Sequence, residues 1–219
     1  WNFEQHGTFD AVDEVYTFTS WVLQPLGKPL TIYGRSPPLT KSEFRQTTAN
    51  QGHFYLNYDT YFENINFTNG QGSHGGSLFL YQNATLTVKA CSFYNNTARR
   101  GGAIYHDNMY HPGSSSNSVN YKQVYLLNSE FYYNTAQYHG GVVYGTNLRL
   151  FFENCVVKHN SAGRNAAVVY ANYYYDSDDD RRRRRRRLQS RNTFPVKTNH
   201  NNNWNRRKLD HWAFYMSFI

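Results

Sequence analysis

Apolar residues in this chain come in short bursts with period-two alternation, separated by Asn, Gly and charged residues, and the bursts recur in a fixed order. The clearest copy runs from Leu86 through Val88, Phe93 and Ala98 to Gly101, Ile104 and Tyr105. A second passes through Val124, Leu126, Phe131, Ala136, Gly140, Val143 and Tyr144, and a third through Leu150, Phe152, Val157, Ala162, Ala166, Val169 and Tyr170. Two weaker copies lie upstream, centred on Phe67 and Phe44. The anchors Phe44, Phe67, Phe93, Phe131 and Val157 are spaced by 23, 26, 38 and 26 residues; an insertion rich in Ser, Asn and Gly between Tyr105 and Tyr121 accounts for the long interval and reads as a loop. Alternation over so few residues predicts strands with one buried face, and no stretch is long or periodic enough for a helix.

Aligned copies give columns of uniform character. Leu78, Ile104, Val143 and Val169 share one; Phe62, Val88, Leu126 and Phe152 share another, with Thr60, Leu86, Val124 and Leu150 two residues earlier. Asn64, Ala90, Asn128 and Asn154 stand where the parity changes, and Asn suits a left-handed bend. Asn96, Asn134 and Asn160, each followed by a small residue, mark a further expected turn at Ala98, Ala136 and Ala162. One copy cannot bury its own apolar face, whereas copies stacked at about 4.8 Å per coil pair every strand and make a continuous core. The expectation is an all-β fold, a right-handed parallel β-helix (solenoid) of about five coils over residues 37 to 170. Residues 1 to 36 are read as a lead-in or partial cap, and 171 to 219 as a low-complexity, disordered tail. The handedness follows the general rule for parallel crossovers.

Gly101–Ile104 together with Phe93–Asn96 and Phe131–Asn134 resembles the GGAI and FxxN repeats of the polymorphic outer membrane proteins, and more broadly the right-handed β-helices of the pectin-lyase-like fold. The resemblance covers residues 37 to 170 and implies a surface-displayed or secreted segment of the kind involved in adhesion. Coil one departs from it with His53 in place of the second Gly, and the last coil with Ala166, Ala167 and Val157.

Charge changes this picture little. Of the net +8, residues 1 to 175 carry +1 (11 basic, 10 acidic) and residues 176 to 219 carry +7 (12 basic, 5 acidic), including the run Arg181 to Arg187. An interaction with nucleic acid or anionic lipid is therefore expected only through that tail. No apolar run approaches the roughly 18 residues of a membrane-spanning helix, and a chain opening at Trp1 without a leader is expected to be a mature form or a fragment. Cys91 and Cys155 share a column two coils apart, too far for a bridge, so buried free thiols are expected.

Candidate binding residues are the aromatic column Phe79, Tyr105, Tyr144 and Tyr170, which follows a buried column by one residue and is expected to face outward. Such rings either stack on one another to stabilise neighbouring coils or meet sugar rings or a partner protein. A polar column of His74, Arg100, His139 and Asn165 precedes the Gly pair and reads as a solvated edge or as a weakly basic stripe for an acidic glycan. His106, Asp107 and His111 carry ligand-type side chains, but nothing fixes a geometry, so neither metal nor cofactor is expected. Asn66, Asn83 and Asn95 begin glycosylation sequons. Lyases and hydrolases of this fold class need clustered or paired carboxylates; here Asp59, Glu63, Asp107, Glu130 and Glu153 are scattered, and Glu63 and Glu153 share a column three coils apart. The expected function is a non-catalytic extracellular or cell-surface scaffold that binds a glycan or protein through its outer face, with a carbohydrate-active enzyme as the alternative.

Overall fold

The computed structural model describes residues 7–24, 27–81, 84–107, 122–146 and 148–172, with the backbone of 216–217. Among these there is no helix. The chain winds as six coils. The first carries β1 (Thr8–Asp10), β2 (Val15–Phe18) and β3 (Val22–Leu23); the second β4 (Leu30–Tyr33), β5 (Ser42–Gln46) and β6 (Phe54–Leu56); the third β7 (Thr60–Glu63), β8 (Ile65–Thr68) and β9 (Leu78–Tyr81). The fourth has β10 (Leu86–Lys89), β11 (Ser92–Tyr94), β12 (Thr97–Arg100) and β13 (Ile104–Asp107). The fifth has β14 (Lys122–Leu127), β15 (Glu130–Tyr132), β16 (Thr135–His139) and β17 (Val143–Thr146), and the sixth β18 (Leu148–Glu153), β19 (Val156–Lys158), β20 (Ser161–Ala162) and β21 (Val169–Asn172). A short β22 (Met216–Ser217) pairs with β18.

Equivalent strands pair in parallel, making one seven-stranded face that ends in β18 and β22, two six-stranded faces, and a short face of β12, β16 and β20. The register is that of the sequence columns: Ile104 lies between Leu78 and Val143, Phe93 between Phe67 and Phe131, and Val88 between Phe62 and Leu126. The core is therefore a set of ladders. Phe67, Phe93 and Phe131 are fully buried and stack at centroid separations of 4.8 and 5.1 Å.

Two expectations need correction. The segment before residue 37 is not merely a lead-in, because β1, β2 and β3 pair with β4, β5 and β6 as a coil of their own. The repeat pattern is weak there because the anchor is Tyr16, opposite Phe44, with no Gly pair or FxxN element around it. Nor does the chain turn at the small residues: Ala98 and Ala136 are inward-facing positions of the short face, a fourth strand absent from the first three coils. The turn lies just before, at Asn95, Tyr133 and His159, all left-handed. Of the expected disordered tail, residues 171–172 close β21 and 216–217 form β22 against β18; the rest of it and the loop tip from 108 to 121 lie outside the described residues.

The two motifs have separate structural causes. In the FxxN element, the Asn96 amide donates to the Phe67 carbonyl of the preceding coil at 3.1 Å and to Asn134 Oδ1 of the next at 2.9 Å. Asn134 repeats this toward Phe93 and Asn160, and Asn160 toward Phe131. This ladder of amides satisfies the backbone groups that a corner exposes inside the wall. In the Gly pair, Gly101 is left-handed (φ 64) and a Cβ there would lie 2.1 Å from the Ile104 carbonyl. A Cβ on Gly102 would lie 2.1 Å from the Gly141 carbonyl of the next coil, so close stacking of backbones requires the second glycine. The last coil tolerates Ala167 because its side chain is exposed at the end of the described stack.

Candidate binding face

The aromatic column is where the sequence places it, on the side of its sheet away from the main core. It is not, however, open to solvent as expected. Tyr105, Tyr144 and Tyr170 are 6, 7 and 8% exposed and form a second, smaller cluster with half-buried Phe79. Tyr105 and Tyr144 stack at 5.1 Å with their planes within 3°, and Tyr144 and Tyr170 at 5.4 Å. The reason lies in the polar column, where His74, Arg100 and His139 each lean over the ring of the following coil. His74 packs on Tyr105 at 4.7 Å, the Arg100 guanidinium lies 5.6 Å from the Tyr144 centroid, and His139 stacks on Tyr170 at 4.7 Å. His74, Arg100, His139 and Asn165 thus form a ladder that roofs the stack, bridged in parallel at both ends. Asn165 Nδ2 donates to His139 Nδ1 at 3.1 Å.

Electrostatics along this roof are one-sided. Burial, then Arg100 and Arg99, holds the His74 pKa below its ordinary value; burial, then Arg100 and Arg164, does the same for His139. Both imidazoles are consequently biased toward the neutral form, which suits ring packing.

Beside the roof stand residues that sequence columns alone did not single out. Arg99, Tyr138 and Arg164 each immediately precede a member of the polar column and project from the short face. The Arg99 and Arg164 guanidiniums lie 5.5 and 4.6 Å from the Tyr138 centroid, from the coil before and the coil after. Along the same face, Thr97, Thr135 and Ser161 are exposed, with Thr135 and Ser161 hydroxyls 3.2 Å apart. At the corner leading into it, Tyr94 and Tyr133 are each 48% exposed, and Tyr133 stacks on His159 at 5.0 Å. Tyr133 and His159 occupy the left-handed corner filled by Asn69 and Asn95 in earlier coils. That exchange of small polar residues for rings, in a conformation bulky side chains avoid, was the available signal.

The other candidates are dispersed. Asn66 is half-buried in mid-strand, whereas Asn95 is exposed and donates to Asn69 Oδ1 at 2.9 Å; Asn83 lies outside the described residues. His106 points inward, fully buried, in register with Leu80 and Gly145; His111 lies outside the described residues. No group of three or more metal-ligating side chains occurs among the described residues. Cys91 and Cys155 are free, and burial pushes the Cys91 thiol up to about 12, leaving it unreactive. Glu63 and Glu153 do share a column, three coils apart. Two carboxylates are occupied structurally. Arg45 bonds Glu43 through both oxygens at 2.9 and 2.6 Å and lowers its pKa; Glu63 is also lowered, since hydrogen bonds from Tyr61 and Lys89 outweigh burial, which pushes the other way.

Comparison with known proteins agrees with this architecture. Residues 90–107, which lie in the fourth coil and carry both motifs, match the Chlamydia polymorphic membrane protein repeat. A metabotropic glutamate receptor-like protein R of Dictyostelium discoideum is 29% identical over 112 residues, an alignment covering 44% of this chain and 7% of that protein. No solved structure is significantly similar.

Proposed function

We propose that this chain is a non-catalytic binding scaffold of an extracellular or cell-surface protein, which recognises a glycan or protein ligand through the outer side of its short face. The observation that carries the reading is the content of that face over three consecutive coils. Exposed hydroxyls and guanidiniums, with partly exposed Tyr138 among them and exposed Tyr94 and Tyr133 at the corner leading in, are held at coil spacing by a rigid wall, which is a recognition surface with anchors of low entropy cost. The polymorphic membrane protein repeat in the fourth coil, and a relative whose name is that of a receptor-like protein, support a surface setting. Among the described residues no helix is long and apolar enough to cross a membrane.

The enzyme alternative asks for a carboxyl kept protonated as a general acid near a second carboxylate. Glu43 and Glu63, with lowered pKa values and cationic partners, are poor acids for that purpose. The test exposes the purified chain to an array of neutral and acidic polysaccharides while polymer length is followed by chromatography. Retention with unchanged polymer length is expected; release of shortened or unsaturated products would overturn the scaffold reading in favour of the enzyme.

A further inference from the structure

Tyr138 has a guanidinium beside its ring from each neighbouring coil. Arg99 reaches it from the coil before and Arg164 from the coil after, at 5.5 and 4.6 Å, and both arginines are exposed. None of the ion pairs among the described residues involves either guanidinium. The charges that act on Tyr138 are those of Arg99, Arg164 and Arg100, all of one sign. Arg99 also donates a hydrogen bond to the Tyr138 hydroxyl, which helps to fix its guanidinium plane, and the remaining N–H groups of each guanidinium form a fork that donates bidentately to sulfate or carboxylate. The protein thus holds two such forks in place with no carboxylate of the described residues to neutralise them.

We propose that Arg99, Tyr138 and Arg164 form a binding site for an acidic polysaccharide laid along the solenoid axis. This assignment rests on the scaffold reading above and specifies its ligand. Because Arg99 and Arg164 belong to the fourth and sixth coils, their backbones are two coil spacings apart, about 10 Å. A linear polymer with recurring acidic groups that runs along the axis meets residues of all three coils. The exposed hydroxyls of Thr135 and Ser161 lie on the same face, and Tyr94 at its edge offers aromatic surface for the C–H groups of a sugar ring. A single-stranded nucleic acid fits less well. It needs free ring faces on which bases stack, and guanidiniums crowd the Tyr138 ring from both neighbouring coils while Tyr133 is packed against His159 and Tyr94.

The run Arg181 to Arg187 would bind any polyanion through charge alone, so the experiment starts from a full-length chain with those seven arginines replaced by serine. Its affinity for a sulfated heparin oligosaccharide, the desulfated counterpart and a single-stranded DNA of equal charge is measured by titration calorimetry. Preference for the sulfated sugar is expected, together with at least a tenfold loss in Arg99→Ala/Arg164→Ala and a smaller loss in Arg99→Lys/Arg164→Lys, which keeps charge but removes the fork. Both side chains are exposed, and unchanged melting curves identify the loss as one of contact rather than folding. Unaltered affinity in the alanine variant, or DNA bound as tightly as the sugar, overturns the site. Equal binding of neutral and sulfated sugars also overturns it while leaving the scaffold reading intact, whereas no binding to any glycan removes the glycan ligand from both.

Discussion

At the scale of single residues, the solenoid is decided by which side chains accept a left-handed backbone and which ring can be buried. Asn64, Asn128 and Asn154 hold φ between 49 and 57° at one corner, and Ala90 holds 50° at the same corner. Alanine there bears a steric cost of roughly 1–2 kcal/mol that asparagine largely avoids. Ala90→Asn is accordingly expected to stabilise the chain by about 1 kcal/mol, raising the melting temperature by about 2–4 °C; a lower melting temperature would show that this corner obeys another constraint. His53 works in the opposite sense. Contrary to the sequence alignment, the second-Gly position of its coil is held by Gly52; His53 lies one residue later, in register with Ser77 and Ala103, and is fully buried between Phe18 and Phe67, at 5.4 and 5.6 Å. Burial lowers its pKa to about 4; backbone groups of Phe44 and Thr68 offset part of this, although neither ring nitrogen reaches a partner in good hydrogen-bond geometry. A histidine depressed in the folded state binds its proton more readily when unfolded. Stability from this residue is therefore complete above about pH 6.5, and declines as pH falls from there toward about 4, by on the order of 3 kcal/mol. Urea unfolding at pH 7 and pH 5 should show the loss in the native chain and a much smaller one in His53→Leu.

At the scale of the element, the repeat is a device for passing hydrogen bonds from coil to coil. Asn134 donates to the Phe93 carbonyl at 3.0 Å and to Asn160 Oδ1 at 2.9 Å, while its own oxygen accepts from Asn96. Asn134→Ala leaves several buried polar groups without partners, and a loss of about 3 kcal/mol is expected. Asn160 is partly exposed in the last coil, where water replaces lost partners, so Asn160→Ala should cost about half as much. Equal losses measured by denaturant unfolding would show that the ladder does not depend on burial. These columns were legible because period, register and composition agree: Leu78, Ile104, Val143 and Val169 could share a column only if the chain returned over itself. Two things were not legible. A side chain one residue after a buried position faces away from the core, but whether it meets water depends on what leans over it, and the roof of His74, Arg100 and His139 comes from the neighbouring coil. The grip of Arg99 and Arg164 on Tyr138 likewise joins three coils across a register shift between β12 and β16, which breaks the simple residue count.

At the scale of the whole molecule, stacking makes stability nearly one-dimensional: each coil is held by its own packing and by one or two neighbours. The fourth and fifth coils have neighbours on both sides, buried phenylalanines in a continuous stack and the full amide ladder. The first coil leaves Val12, Val15 and Leu23 exposed, and the sixth substitutes Val157 for the anchor ring and exposes Val156. Opening free energy should therefore rise from both ends toward the middle. Hydrogen exchange at pH 7 is expected to be slowest in β11, β15, β13 and β17 and fastest in β1 to β3 and in β19 and β20. Acid should make the gradient asymmetric, since His53 lies in the second coil, against Phe18 of the first and Phe67 of the third. After correction for intrinsic exchange, lowering the pH to 5 should speed exchange selectively in the first three coils. Protection that falls together along the entire stack would instead mean that the six coils unfold as one cooperative unit, with interfaces strong enough to override the differences between them.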